Sequence, residues 1–284
     1  MSIESASLPP DLGEIIEVHS RRYQIGEVIG GGNFGTVYAC SDEWGNPLVA
    51  KVLVPGDQAY EQVRESWQHE LGNLLRLRHP NVTFAHDAFE HRRSFYLILE
   101  RCGSSLKDLI AWPELIGEVW VLPVARCVLQ AINFIHRLGY VHKDLHPGNV
   151  LYSQVRNEMN PAGPGATVFK VCDLGISRLA PEIDVFNTIL AQWMLPPEYL
   201  DPEEFGVLGP QVDIYHAGLL FLGLLLGEIP SFNHAEILSG APRQLAESLN
   251  SRFSPAIAKA LRRHVQWRTQ APLELWKDLS LPGA

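Results

Sequence analysis

Several marks of common protein classes are scarce or missing in this 284-residue chain. Its four cysteines, Cys40, Cys102, Cys127 and Cys172, are widely spread with no CxxC pair. That argues against a disulfide-framed secreted domain and against a tetrahedral zinc site, and points to free thiols in a reducing cytoplasm. Basic residues are outnumbered, 23 Lys and Arg against 32 Asp and Glu, for a formal charge of −9. No cationic surplus is available to neutralise a phosphate backbone, so nucleic acid is not an expected partner, although a local cationic pocket is still allowed. The longest apolar run, Ala217 to Leu226, is about half the ~20 residues of a membrane helix. Met1 to Gly13 lacks the basic start and apolar stretch of a signal peptide. A membrane is therefore not an expected partner either, and the expected location is the cytoplasm.

Apolar residues make up 46% of the chain, enough for one large domain or two packed lobes. The pattern divides near Cys102–Ser105. Before it, strand-like runs dominate: Ile15 to Val18, Tyr23 to Val28, Thr36 to Cys40, and Pro47 to Val54 after the turn residues Gly45-Asn46. One helix is predicted over Glu61 to Arg78, stopped by His79-Pro80. Two further strands follow, Val82 to Phe89 and Ser94 to Leu99. Beyond Gly103 the pattern is mainly helical. Val121 to Leu138 reads as a long apolar helix with Pro123 in its first turn, and helices recur from Asp213 onward. A loose insert is predicted over 153–167. The expectation is an α+β protein: a tail over 1–20 with its first thirteen residues loose, a β-rich unit over 21–103, and an α-rich unit over 104–284.

Three groups of residues carry chemistry. Gly30, Gly32 and Gly35 form a GxGxxG turn. Alone it could be no more than a flexible turn. It is followed by the β-branched and aromatic run Thr36-Val37-Tyr38, which favours a strand where a dinucleotide-binding loop requires a helix. A glycine hairpin between strands lets backbone N–H groups approach phosphates. Lys51 lies inside the apolar run 47–54, where a lysine either snorkels to water or needs a partner. On the 61–78 helix, Glu70 shares the apolar stripe with Trp67, Leu74 and Leu77, so a buried Lys51–Glu70 ion pair is expected, holding the lysine toward α- and β-phosphate oxygens. The third group is His142-Lys143-Asp144-Leu145-His146-Pro147-Gly148-Asn149, followed by Asp173-Leu174-Gly175. Asp144 and Asp173 could singly be turn or loop carboxylates. Their spacing with Asn149 suits phosphoryl transfer, in which hard oxygens hold a divalent metal and a carboxylate orients a hydroxyl.

In this order the motifs resemble those of eukaryotic-type protein kinases, most closely the serine/threonine type, and the resemblance covers roughly residues 14–280. It implies a two-lobed fold with the nucleotide in the cleft between a β-rich N-lobe and a helical C-lobe. ATP and Mg²⁺, or Mn²⁺ in its place, are the implied cofactors. The implied ATP site comprises Ile29, Gly30, Gly31, Gly32, Asn33, Phe34, Gly35, Val37, Val49 and Lys51, with Leu99 as gatekeeper and the backbone of Glu100 and Cys102 at the adenine. Asn149 and Asp173 would hold the metal, Asp144 would orient the acceptor hydroxyl, and His142 would hold the loop. Pro196-Pro197-Glu198 resembles the end of an activation segment, with Arg268 as the partner of Glu198 and Asp213 as the buried aspartate of a central helix. Ser177 and Thr188 are the implied hydroxyls for activating phosphorylation, with Lys143 able to pair with the phosphate.

The chain departs from the family pattern in several places. Lys143 replaces Arg, Val49 replaces an Ala, Ala191 stands where Ser/Thr kinases carry Thr, and His146 replaces their Lys two residues after the catalytic Asp. His146 could hydrogen-bond the γ-phosphate in that lysine's stead. The H-x-D-L-H-P-x-N form also resembles small-molecule phosphotransferases of the aminoglycoside and choline kinase type. A non-catalytic binding module is the third reading. The glycine-rich strand turn, Glu198, Asp213 and Arg268 favour a protein substrate.

Overall fold

The computed structural model describes residues 7–32, 35–155, 165–175, 177–179 and 195–281. The chain divides into two compact units, Met1–Arg78 with Thr83–Cys102, and His79–Val82 with Gly103–Ala284.

In the first unit, β1 (Ile15–Val18), β2 (Arg21–Gly32), β3 (Gly35–Asp42), β4 (Pro47–Leu53), α1 (Tyr60–Arg76), β5 (Ala85–His91) and β6 (Ser94–Glu100) follow in order. The strands form one antiparallel sheet in the order β1-β2-β3-β4-β6-β5. Period-two alternation gives it two unlike faces. Tyr38, Cys40, Leu48, Ala50, Val52, Tyr96 and Ile98 build a buried core on one face. On the other, α1 packs Trp67 and Val63 against Leu53 and Phe95, and the Trp67 indole N–H donates to the Tyr96 carbonyl at 3.1 Å.

The segment expected as a tail is partly tied down. Residues 15–18 form β1, the Ser94 hydroxyl donates to the Leu8 carbonyl at 2.8 Å, and Gly13 N–H donates to Ile25 O at 2.8 Å. Burial would raise the Glu14 carboxyl. The Asp11 N–H, His91 (3.2 Å) and Arg92 (3.0 Å) outweigh it and hold the group below its ordinary range.

The second unit contains β7 (Ser104–Ser105), α2 (Leu106–Ile110), α3 (Gly117–Arg137), β8 (Tyr140–Val141), β9 (Val150–Val155), β10 (Ala166–Val171), β11 (Arg178–Leu179), α4 (Pro197–Leu200), α5 (Pro202–Phe205), α6 (Gln211–Leu226), α7 (His234–Ser239), α8 (Ala241–Ser248), α9 (Ser254–Ala260) and α10 (Pro272–Ser280). Its axis is α6, buried on every side from Val212 to Leu224, as a helix apolar all round must be. The amphipathic α3 packs its stripe, including Val121, Val124, Val128 and Ile132, toward α6, α10 and β10. By length and composition α3 could also cross a membrane.

Some expected boundaries shift. Residues 79–82 belong to the second unit because Asn81 Nδ2 donates to Phe169 O (2.9 Å) and Val171 N donates to Asn81 O (2.8 Å), both on β10. α3 begins four residues earlier than expected, so Pro123 lies in its second turn; the proline is exposed, which leaves the unbonded carbonyl one turn back able to reach water. The predicted insert is narrower, since 153–155 and 166–167 pair across β9 and β10; residues 156–164 lie outside the described residues.

Candidate active site

The first unit carries the first group of candidate residues. Lys51, on β4, is buried, and its Nζ donates to Glu70 Oε1 at 2.8 Å and Oε2 at 2.9 Å. Glu70 is equally buried on α1, so the ion pair expected from the helix stripe is formed with both carboxylate oxygens engaged. The register Ala39↔Val49↔Leu99 and Val37↔Lys51 puts Val37, Ala39, Val49 and Leu99 on the same sheet face as Lys51. All four are half-buried, beyond the end of the α1 packing. They form an apolar floor beside the ammonium, suited to a flat heterocycle next to phosphates.

Gly30 pairs with Val37 and Gly31 with Thr36, so the glycine turn is a β2–β3 hairpin, as its flanks require. Its glycines differ in kind. Gly35 has φ +127°, and a Cβ there would meet the Val52 carbonyl oxygen at 2.7 Å. Gly30 and Gly31 are exposed and would place a Cβ no nearer than 3.9 and 3.7 Å to anything. Of these three the fold demands glycine only at 35; at 30 and 31 it leaves room for a Cβ. Ile29 is largely exposed on the same strand, while Asn33 and Phe34 lie outside the described residues. Farther along, the Glu100 N–H donates to Phe84 O (3.0 Å) and its carboxylate accepts from Phe84 N (2.8 Å). Cys102 closes the unit.

In the second unit Asp213 organises the loop 142–149. This fully buried carboxylate on α6 accepts from His142 N (2.9 Å), Lys143 N (2.9 Å) and His136 Nε2 (2.8 Å). Burial pushes its pKa up, but the hydrogen bond and charge of His136, with help from His142, hold it at about 2. Asp213 thereby anchors two successive amides, and Lys143, which carries the second, takes φ +70°, a left-handed conformation that needs such support.

Burial lowers the His142 pKa, leaving the ring neutral. Its Nδ1 accepts from Asp144 N (3.2 Å), and its Nε2–H donates to Cys172 O (3.1 Å). Cys172 N in turn donates to Asn149 O at 2.9 Å. The peptide leading into Asp173 is thus pinned to the loop that carries Asp144, and Asp173 itself takes φ +59°. Asn149 Nδ2 donates to both the carbonyl and Oδ2 of Asp144 at 3.0 Å. With the amide nitrogen committed, Asn149 presents its Oδ1, contacted by the Cys172 thiol at 3.9 Å. His146 accepts from Gly148 N at its Nδ1 (3.0 Å) and sets its Nε2 3.7 Å from Asp144 Oδ1. Burial drives its pKa down to about 4, so near neutrality it is an uncharged ring and not a substitute cation.

Arg268 and Glu198 pair where the resemblance placed them, fully buried. Ser177 differs from its assignment as a phosphate acceptor. Its hydroxyl is buried and donates to His142 O at 3.4 Å, so here it serves as a loop tether. Thr188 lies outside the described residues. Sequence reasoning missed two participants, His136 and Gly148. A histidine in the last turn of a helix is ordinary on dipole grounds, so nothing in the pattern singled out His136.

The donor set bears on the metal. Among the described residues no cluster of three or more His, Cys, Asp or Glu could hold a metal ion. Asn149 Oδ1 and the Asp173 carboxylate are hard oxygen donors that leave most of a coordination sphere open. That fits Mg²⁺, which keeps water and takes phosphate oxygens.

The family model described as Protein kinase domain matches residues 23–270. Relatives include CBL-interacting protein kinase 27 of Oryza sativa subsp. japonica, 31% identical over 74% of this chain and 50% of its own length. Calcium-dependent protein kinase 24 of Arabidopsis thaliana is 28% identical over 82% of this chain and 38% of its own. Cyclin-dependent kinase-like 4 of Mus musculus is 27% identical over 70% and 55%. The chain thus spans about half the length, or less, of these curated relatives.

Proposed function

The chain belongs to the protein kinase family, and from that membership we propose that it transfers the γ-phosphate of ATP to a protein hydroxyl, serine or threonine in preference. The observation that carries the reading is the Asp144–Asn149 clasp. A carboxylate with one oxygen held by Asn149 is mounted on a loop whose backbone is fixed by the buried Asp213.

Each group has a task that its setting supports. Lys51, held by Glu70, places an ammonium where α- and β-phosphate oxygens can take it. The bare backbone at Gly30 and Gly31 allows close approach of the phosphates. Val37, Val49 and Leu99 offer the adenine an apolar surface, with the Glu100 carbonyl and the Cys102 backbone at its edge. Asn149 and Asp173 would hold Mg²⁺, which when bound neutralises phosphate charge. Asp144 accepts a hydrogen bond from the acceptor hydroxyl, orients it for in-line attack and receives its proton as the new O–P bond forms and the bond from the γ-phosphorus to the bridging oxygen breaks, releasing ADP. The Ser/Thr preference follows the resemblance of the motif set to serine/threonine-type kinases; no residue of the loop decides it.

The test is transfer of radiolabelled γ-phosphate with Mg²⁺, comparing the wild type with Asp144→Asn, followed by phosphoamino-acid analysis. Label at serine or threonine from the wild type, at least about 100-fold weaker in the variant, is the expected result. Label on a small metabolite, or ATP binding without transfer to protein, would overturn it.

A further inference from the structure

Gly148 meets the His146 ring in two ways. Its N–H donates to Nδ1 at 3.0 Å, and a Cβ at 148 would stand 2.8 Å from Cε1 and 3.1 Å from Nδ1. Its φ is not positive, so glycine here provides room for the ring and not an unusual backbone. A backbone N–H can only donate. Nδ1 is therefore the lone-pair nitrogen, and the proton of the neutral ring sits on Nε2. That nitrogen faces Asp144 Oδ1 at 3.7 Å, while Asn149 Nδ2 holds Oδ2 at 3.0 Å. The Asp144 carboxylate thus stands between two N–H groups of its own loop. A separation of 3.7 Å is longer than a hydrogen bond, as catalytic contacts often are before substrate closes them.

We propose that Gly148 and His146 act together as positioning residues for Asp144: the glycine seats the ring and fixes its proton on Nε2, and the Nε2–H steers the carboxylate toward the acceptor hydroxyl. This rests on the phosphotransfer reading of Asp144. It assigns a task to the replacement of the family's lysine by His146: a neutral dipole takes the place of a charge, and it works only while residue 148 has no side chain. An alanine at 148 would meet the end of a side chain, so it would push the ring aside and spare the fold.

Two measurements test the pair on the full chain. The first is a long-range ¹H–¹⁵N spectrum of the histidine rings, with His146 assigned by its loss in His146→Gln. The proton is expected on Nε2, and a proton on Nδ1 overturns the proposal whether or not the protein is active. The second is a kinetic cycle of Gly148→Ala, His146→Ala and the double variant, with His146→Gln as the conservative replacement and melting temperature as the fold control. Each single alanine variant should lower kcat by about 10- to 100-fold, the worth of one hydrogen bond to a charged group, with KM for ATP within about twofold. The double variant should be no worse than His146→Ala, because both act through one contact, and His146→Gln should recover part of the loss. Additive losses, or losses that follow melting temperature and leave kcat intact, would overturn the pairing. An inactive wild type would overturn the kinase reading and the steering role together, and the spectrum would still decide how the ring is seated.

Discussion

Arg268 and Glu198 meet in a fully buried, two-armed pair, with both guanidinium arms 2.7 Å from carboxylate oxygens. The guanidinium has no donor to spare. Nε bonds Arg262 O (3.0 Å), Nη1 also bonds Gln211 O (3.0 Å), and Nη2 also bonds Arg263 O (3.1 Å). Five donors meet five acceptors, tying α4, the start of α6 and the segment after α9. Lysine offers three donors and no fork. Arg268→Lys is therefore expected to destabilise the protein by about 3 kcal/mol, close to Arg268→Ala. Urea denaturation reads this directly; a loss under about 1 kcal/mol for the lysine variant would show that charge alone matters there.

Asp213 makes an acid-dependent contribution. Its folded pKa of about 2 lies below the ordinary 3.8, so the unfolded chain binds its proton first as pH falls. The stabilisation is present in full above about pH 4 and is lost as pH falls toward 2, about 2 kcal/mol in all. Asp213→Asn removes that dependence. It also puts an amide N–H₂ in place of one oxygen, against either the His142 or the Lys143 backbone N–H, neither of which can accept. The variant should be less stable at pH 7, lose activity, and show a flatter decline in urea midpoint between pH 4 and 2. An undiminished acid slope would place the titration elsewhere.

These two anchors show what could be read from sequence and what could not. The Lys51–Glu70 pair was legible because two charges on apolar stripes need each other. The Asp144–Asn149–Asp173 set was legible because phosphoryl transfer limits the residue types at those spacings. His136, Gly148 and the seat of Ser177 were not, because each depends on one backbone group that only the folded chain brings near. Residues 1–13 read as loose on composition, yet within them the Leu8 carbonyl is held by the Ser94 hydroxyl, 86 positions later, and Gly13 N–H by Ile25 O.

The Lys51–Glu70 pair allows a test that separates charge from packing. Lys51→Met takes the ammonium away from a buried carboxylate and should cost about 3 kcal/mol as well as abolish transfer. Adding Glu70→Leu removes the buried negative charge as well, so the double variant should regain stability while staying inactive. If the double variant proves less stable than Lys51→Met alone in urea titration, Glu70 contributes to stability through more than its contacts with Lys51 at 2.8 and 2.9 Å.

The glycine hairpin separates folding from function within six residues. At Gly35, an alanine would be strained at φ +127° and pressed to 2.7 Å from a backbone oxygen that cannot swing away. Gly35→Ala should lower stability by about 2 kcal/mol or more. At Gly30 the nearest atom to an added Cβ is 3.9 Å away, on a side chain, and φ is not positive. Gly30→Ala should leave stability unchanged or raise it by up to about 1 kcal/mol, because the unfolded chain loses freedom. Its effect should fall on the nucleotide, since a methyl group now stands where phosphate oxygens approach the backbone. The expected pattern is an unchanged or higher melting temperature without nucleotide, and a KM for ATP raised several-fold. A Gly30→Ala variant with wild-type KM would mean that the exposed glycines are not a phosphate seat, and would shift phosphate binding onto Lys51 alone.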